Sequence, residues 1–188
     1  MKENFLPSLA FTLKCEGGYV DNVNDPGGAT NKGVTLRVFQ EYRKNPWLGI
    51  SDLKNISDED LSGIYRTYWN EVKGDQLPAG LDLMTFDFAV NSGSFAAIKQ
   101  LQMVVAATID GRIGPETLSM CEFAMGKTQT ITLSNFAKAR LIYCEKAKDW
   151  PYFNKGWTRR ISDCQAQALT FLKENSNDKT GPHFGSVS

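Results

Sequence analysis

The chain has 188 residues, long enough to bury a sizeable core, and its 21 basic side chains are balanced by 21 acidic ones, which leaves no electrostatic footprint for nucleic acid. No stretch approaches the roughly 18 consecutive apolar residues of a membrane span, and the short apolar run near the N-terminus carries Pro7 and Lys14, a poor match to a signal peptide or signal anchor. The expectation is a monomeric, soluble globular unit made in the cytoplasm, with no nucleic-acid partner and no stable membrane insertion.

In chain order, Phe5, Leu6, Leu9, Ala10 and Leu13 recur at helical spacing and predict an amphipathic helix, with Asn4 as N-cap and Pro7 tolerated in the first turn. Three residues beyond Leu13 the stripe reaches Glu16, which falls on the buried face at the C-terminal end, where Gly17 and Gly18 stop the helix. Residues 19 to 35 read as a compact hairpin-like lobe. Val20, Val23 and Val34 supply short strand material, and Asp25-Pro26-Gly27-Gly28 is strong turn chemistry.

Taken alone, Glu16 also reads as a solvent-facing last-turn glutamate, and Asp25 as a turn residue bonding its own backbone. Together they pair an acid in an apolar setting with one in a polar, solvated setting, the arrangement by which two carboxyl groups cleave a glycosidic bond. Thr30 adds a hydroxyl able to position a water beside Asp25.

Further helices are expected over residues 35 to 43, capped by Thr35, over 57 to about 72, opened by Ser57, and over 81 to 91 before Gly93. Others span 95 to 106, 115 to 125, 130 to 148 and 158 to 174. The fold class is α+β, predominantly helical, with a small hairpin lobe beside a helical lobe and a cleft between them.

The run Glu16-Gly17-Gly18-Tyr19, through Asn24-Asp25-Pro26-Gly27-Gly28-Ala29-Thr30 to Gly33-Val34-Thr35, resembles the N-terminal motif of the glycoside hydrolase 108 family of N-acetylmuramidases, known as phage endolysins and export-associated cell-wall lysozymes. More distantly it resembles the Glu, Asp and Thr constellation of phage lysozymes. Phe86 to Gly93, Leu101-Gln102, the segment from Asp110 to Thr117, and Gly156-Trp157 with Arg159-Arg160 are similar to a peptidoglycan-binding type 3 region, so the likeness covers residues 5 to 172. Cys15 departs from the pattern, which has a basic or polar residue there.

The resemblance implies a lysozyme-like two-lobed fold divided into a catalytic lobe (1–85), a helical peptidoglycan-binding lobe (86–175) and a flexible tail (176–188). It implies Glu16 as proton donor, Asp25 and Thr30 as the pair that activates or orients water, and peptidoglycan as substrate. The bond cleaved would be the β-1,4 link between N-acetylmuramic acid and N-acetylglucosamine, without a cofactor, and the Thr30 hydroxyl, suited to holding a water beside Asp25, predicts inversion. A holin-type release or export system would bring the protein to the cell wall. A lytic transglycosylase and a noncatalytic wall-binding module are the alternatives.

Asp87 and Asn91 lie four apart in an otherwise apolar run and share one helical face, so they read either as sugar-binding residues on the cleft wall or as a buried network between helices. Tyr19 is the one aromatic assigned to the cleft; Trp47, Trp69, Trp150 and Trp157 read as core. Arg159 and Arg160 either meet carboxylates of the wall or form surface ion pairs. Cys15, Cys121, Cys144 and Cys164 show no metal or redox spacing and read as free thiols, and the single histidine, His183, lies in the polar tail. Zinc-dependent and cysteine-dependent routes to cutting the wall therefore lack their residues.

Overall fold

The computed structural model describes residues 4–21 and 28–178. It is α+β and predominantly helical, with helices α1 (Phe5–Cys15), α2 (Leu36–Arg43), α3 (Ile50–Lys54), α4 (Asp58–Glu71), α5 (Leu81–Ser92), α6 (Ser94–Val105), α7 (Pro115–Glu145) and α8 (Trp150–Asp178). Strands β1 (Thr30–Asn31) and β2 (Val34–Thr35) pair antiparallel, Thr30 opposite Thr35 and Asn31 opposite Val34, and Val20 bridges to Thr30. The tip expected around Val23 and Asp25 lies outside the described residues.

Local chemistry places several boundaries. The Thr35 hydroxyl accepts from the Val38 amide at 3.2 Å to cap α2, and the Ser57 hydroxyl accepts from the Asp60 amide at 3.1 Å to cap α4. Pro115 occupies the first turn of α7, where no backbone donor is needed. Asn4 does not cap α1 through its side chain. Its amide instead donates to Asp82 at 2.7 Å, tying the start of α1 to α5.

The core forms around α5. Every residue from Leu81 to Ala89 is buried, because α1, α4, α6, α7 and α8 all pack against this helix. An element covered on all sides carries no amphipathic stripe. Around its N-terminal half, Phe5, Trp69 and Phe86 meet edge to face with centroids 5.5 to 6.2 Å apart. Trp69 is thus core, as expected, whereas Trp47 is 89% exposed. No helix among the described residues is long and apolar enough to cross a membrane.

Candidate active site

Glu16 is the residue at which α1 ends. Its backbone amide still bonds to the Thr12 carbonyl at 3.2 Å, but its own φ and ψ of −82° and 145° are extended, so the side chain leaves the helix at its terminus. The buried face of α1 is Phe5, Ser8, Leu9 and Thr12, and Leu6 is 64% exposed. This face is rotated from the purely apolar stripe, yet its four-residue step from Thr12 still arrives at Glu16.

Three features surround the Glu16 carboxylate. Arg160, from α8, donates from Nη2 to Oε1 at 2.9 Å. Gly33, in the β1–β2 turn with φ of +77°, approaches so closely that a Cβ there would lie 2.9 Å from Oε2 and 2.5 Å from the Tyr65 hydroxyl oxygen. That hydroxyl, from α4, donates to the Lys32 carbonyl at 2.8 Å and so fixes the turn against α4. Burial and the nearby Glu16 carboxylate push the Tyr65 hydroxyl well above the ordinary tyrosine range, so Tyr65 remains a neutral donor.

Behind Arg160 stands Asp87. It has no exposed surface, and both of its oxygens are engaged: Arg140 donates at 2.7 Å, Arg160 from Nη2 at 2.8 Å and from Nε at 3.1 and 3.2 Å, and the Thr12 hydroxyl at 3.0 Å. Burial alone would raise this carboxyl, but the two guanidiniums outweigh it and hold Asp87 below the usual carboxylate range. The same Arg160 nitrogen touches Asp87 and Glu16, so one arginine joins the helix core to the terminal carboxylate. Arg160 in turn is held charged beyond its ordinary range despite its burial.

Asp87 is therefore not on the cleft wall. Its placement is the buried network, because a carboxylate inside an apolar helix must be paired, and two arginines from α7 and α8 pair it. Asn91, one turn on, is half-buried, and its carbonyl oxygen lies 3.5 Å from Arg140 Nη2 and 3.2 Å from the Ser92 hydroxyl. Of the Arg159-Arg160 pair, Arg160 turns inward, whereas Arg159 stays on the surface 3.6 Å from Asp163.

Thr30 sits on β1, its hydroxyl donating to the Gly28 carbonyl at 3.2 Å. Tyr19 is half-buried, with the Lys54 ammonium 4.4 Å over its ring and its hydroxyl donating to Asp21 at 3.0 Å. Asp25 lies outside the described residues. The structure thus brings Glu16 together with Arg160, Tyr65 and Gly33, and Arg160 and Tyr65 were not assigned to the site from sequence. A legible signal for the arginine existed: Asp87 within the apolar run 81 to 90 demands a cationic partner from elsewhere in the chain.

All four cysteines are free. Cys121, Cys144 and Cys164 are buried, Cys15 is half-buried beside Glu16, and burial raises every one of these thiols, which disfavours the thiolate a nucleophile would need.

The chain carrying this arrangement is similar to known proteins in sequence and in fold. Residues 9–93 match the family model described as Glycosyl hydrolase 108. No curated protein matches the chain. The solved structure of SagA from Brucella abortus is similar, with 36% sequence identity over 94% of this chain and 99% of that one and a TM-score of 0.80. With that family match and a relative 36% identical and covered almost end to end, the chain belongs to the glycosyl hydrolase 108 family.

Proposed function

We propose that the protein is a peptidoglycan hydrolase, an N-acetylmuramidase that cleaves the β-1,4 bond between N-acetylmuramic acid and N-acetylglucosamine, with Glu16 as proton donor. The observation that carries this reading is the seating of Glu16. A carboxyl group at a helix end is held at Oε1 by an arginine itself immobilised by a buried aspartate, while glycine at position 33 keeps the space beside Oε2 free of a side chain. Such pre-organisation suits a group that must meet a glycosidic oxygen within hydrogen-bond reach.

In this mechanism Glu16 protonates the leaving oxygen as an oxocarbenium-like transition state forms. Asp25 and Thr30, the water-activating pair by family resemblance, deliver water from the opposite face, and a hydroxyl placed to hold that water makes the outcome inversion. Tyr19 and Asn91 contact the sugars, and Asp87 serves through Arg160. The biological setting is a phage endolysin released by a holin, or a lysozyme that opens the wall for exported protein.

Mass spectrometry of digests of purified cell walls tests the reaction. Hydrolysed muropeptides with muramic acid at the reducing end are expected, and anhydro sugars would establish a lytic transglycosylase instead. Glu16→Gln keeps shape but cannot donate a proton, so it should lower the rate by about 10²- to 10⁴-fold with unchanged circular dichroism. Proton NMR of freshly released ends should show the α-anomer first; an initial β-anomer means retention and removes the water-activating roles of Asp25 and Thr30.

A further inference from the structure

A second surface feature shares Arg160 with the site around Glu16. A depression of about 580 Å³ opens between α1 and α8, its lining including Lys14, Cys15, Trp157, Arg159, Arg160 and Asp163. Its α8 wall continues into a ring stack: Phe153 lies on Trp157 with centroids 5.9 Å apart and planes 27° apart, and Trp150 lies 6.1 Å from Trp157. Phe153 is 56% exposed and Tyr152 beside it 82% exposed. Exposed aromatics packed on a ring that lines the depression present flat apolar faces of the kind that stack on sugar rings.

Three cations, Lys14, Arg159 and Arg160, and one carboxylate, Asp163, line this depression, so its charge is predominantly cationic. Lys14 is exposed, and Arg159 is paired only at 3.6 Å with Asp163, both side chains being largely in solvent, an arrangement worth little and readily exchanged for another carboxylate. Arg160 supplies the floor and is fully committed to Glu16 and Asp87. A ring face flanked by two available cations fits a sugar that carries a carboxylate, and the shared Arg160 and Cys15 put this place next to the glutamate.

From this we infer that the depression is a subsite for the acidic substituent of a muramyl residue, with Trp157 and Phe153 against the sugar and Lys14 and Arg159 on the carboxylate. The inference rests on the muramidase reading and deepens it: the protein selects the anionic glycan over a neutral β-1,4-linked amino-sugar chain of the same backbone. The carboxylate has two sources, the lactyl group itself when the peptide is removed and the stem peptide when it is present.

Cys15 supplies a built-in reporter, being the one cysteine of four that is not buried. In the full-length Glu16→Gln protein, maleimide labelling of Cys15 at mildly alkaline pH and tryptophan fluorescence are followed while three ligands are titrated: a disaccharide peptide, the same disaccharide with its free lactyl carboxylate, and a neutral chitin tetrasaccharide. Slower labelling and a fluorescence change are expected at lower concentration for an anionic ligand than for the neutral one. Preference for the first ligand assigns the stem peptide, and preference for the second assigns the lactyl group. The double substitution Lys14→Ser with Arg159→Ser should reduce the anionic-to-neutral affinity ratio by about three- to tenfold, as expected for two exposed charge pairs.

Equal affinity for all three ligands, or a ratio untouched by the double substitution, overturns the inference while leaving hydrolysis by the wild-type protein intact. Absence of any released reducing end with wild-type protein overturns instead the muramidase reading on which it stands.

Discussion

Arg160 decides what Glu16 can do. One of its nitrogens bridges two carboxylates at 2.8 and 2.9 Å, and its Nε adds further contacts to Asp87, a fork that a single ammonium cannot reproduce. Arg160→Met should therefore lower kcat by about 10- to 100-fold with little change in KM, because misplacing a reacting group by about 1 Å costs that much. Arg160→Lys should recover only part of the loss. Steady-state rates on solubilised glycan strands separate this from a binding role, since a residue that mainly held substrate would raise KM. At this scale Glu16 was legible from its position after an apolar helix and before two glycines. Arg160 was not, because adjacent arginines look alike in sequence and only the direction of α8 turns one inward and leaves the other in water.

The β1–β2 hairpin is the element that closes the site. Its turn needs a residue with φ of +77° and no side chain, and Gly33 meets both demands while the Tyr65 hydroxyl holds Lys32. Gly33→Ala should cost about 1–2 kcal/mol for the left-handed backbone alone and lower activity strongly, since its methyl group would meet both Glu16 and Tyr65. Adding Tyr65→Phe removes one of the two obstacles, so the double variant should be less impaired than the sum of the single changes. Thermal melts and wall-clearing rates for the four proteins complete the cycle, and strict additivity would mean that Gly33 and Tyr65 do not share this contact.

The helices show why boundaries differ in legibility. The break expected between residues 125 and 130 is present as the non-helical Thr128 within α7, where Gly126 and β-branched threonines weaken the helix. By contrast α8 starts at Trp150, well before the expected residue 158. Pro151 and Gly156 look like breakers, but Pro151 falls in the first turn, and Trp150, Phe153 and Trp157 recur at helical spacing, with Phe153 stacked on Trp157 and Trp150 tilted against it. Ring packing outweighs the cost of one helical glycine, about 1 kcal/mol. The five-residue α3 lacked a long periodic pattern and was not expected; its Asp52 carboxylate accepts from the Gly49 amide at 2.7 Å.

For the whole molecule, Asp87 is the point at which α1, α5, α7 and α8 are joined, through Thr12, Arg140 and Arg160. Its depressed carboxyl contributes stability that is complete above the unfolded carboxylate value near 3.9 and is lost as pH falls through the lower folded value. Asp87→Asn should thus destabilise the protein at neutral pH by about 3–5 kcal/mol, since two arginines lose their partner. The deficit should shrink as the pH drops below about 4. Urea unfolding followed by circular dichroism between neutral and acid pH measures this, and parallel curves for the two proteins would contradict the linkage.

By itself the sequence determined the α+β class and most helices, with the caps at Thr35 and Ser57, because these depend on local spacing, capping chemistry and hydrophobic pattern within a single element. Tertiary structure alone decided that Asp87 is an interior ion-pair partner, that Arg160 and Tyr65 surround Glu16, and that Trp157 stands beside Lys14 in a depression. The reason is physical. A charge in an apolar helix announces that it needs a partner, but the partner comes from an element dozens of residues away, and only the packing of α8 against α5 chooses which cation that is.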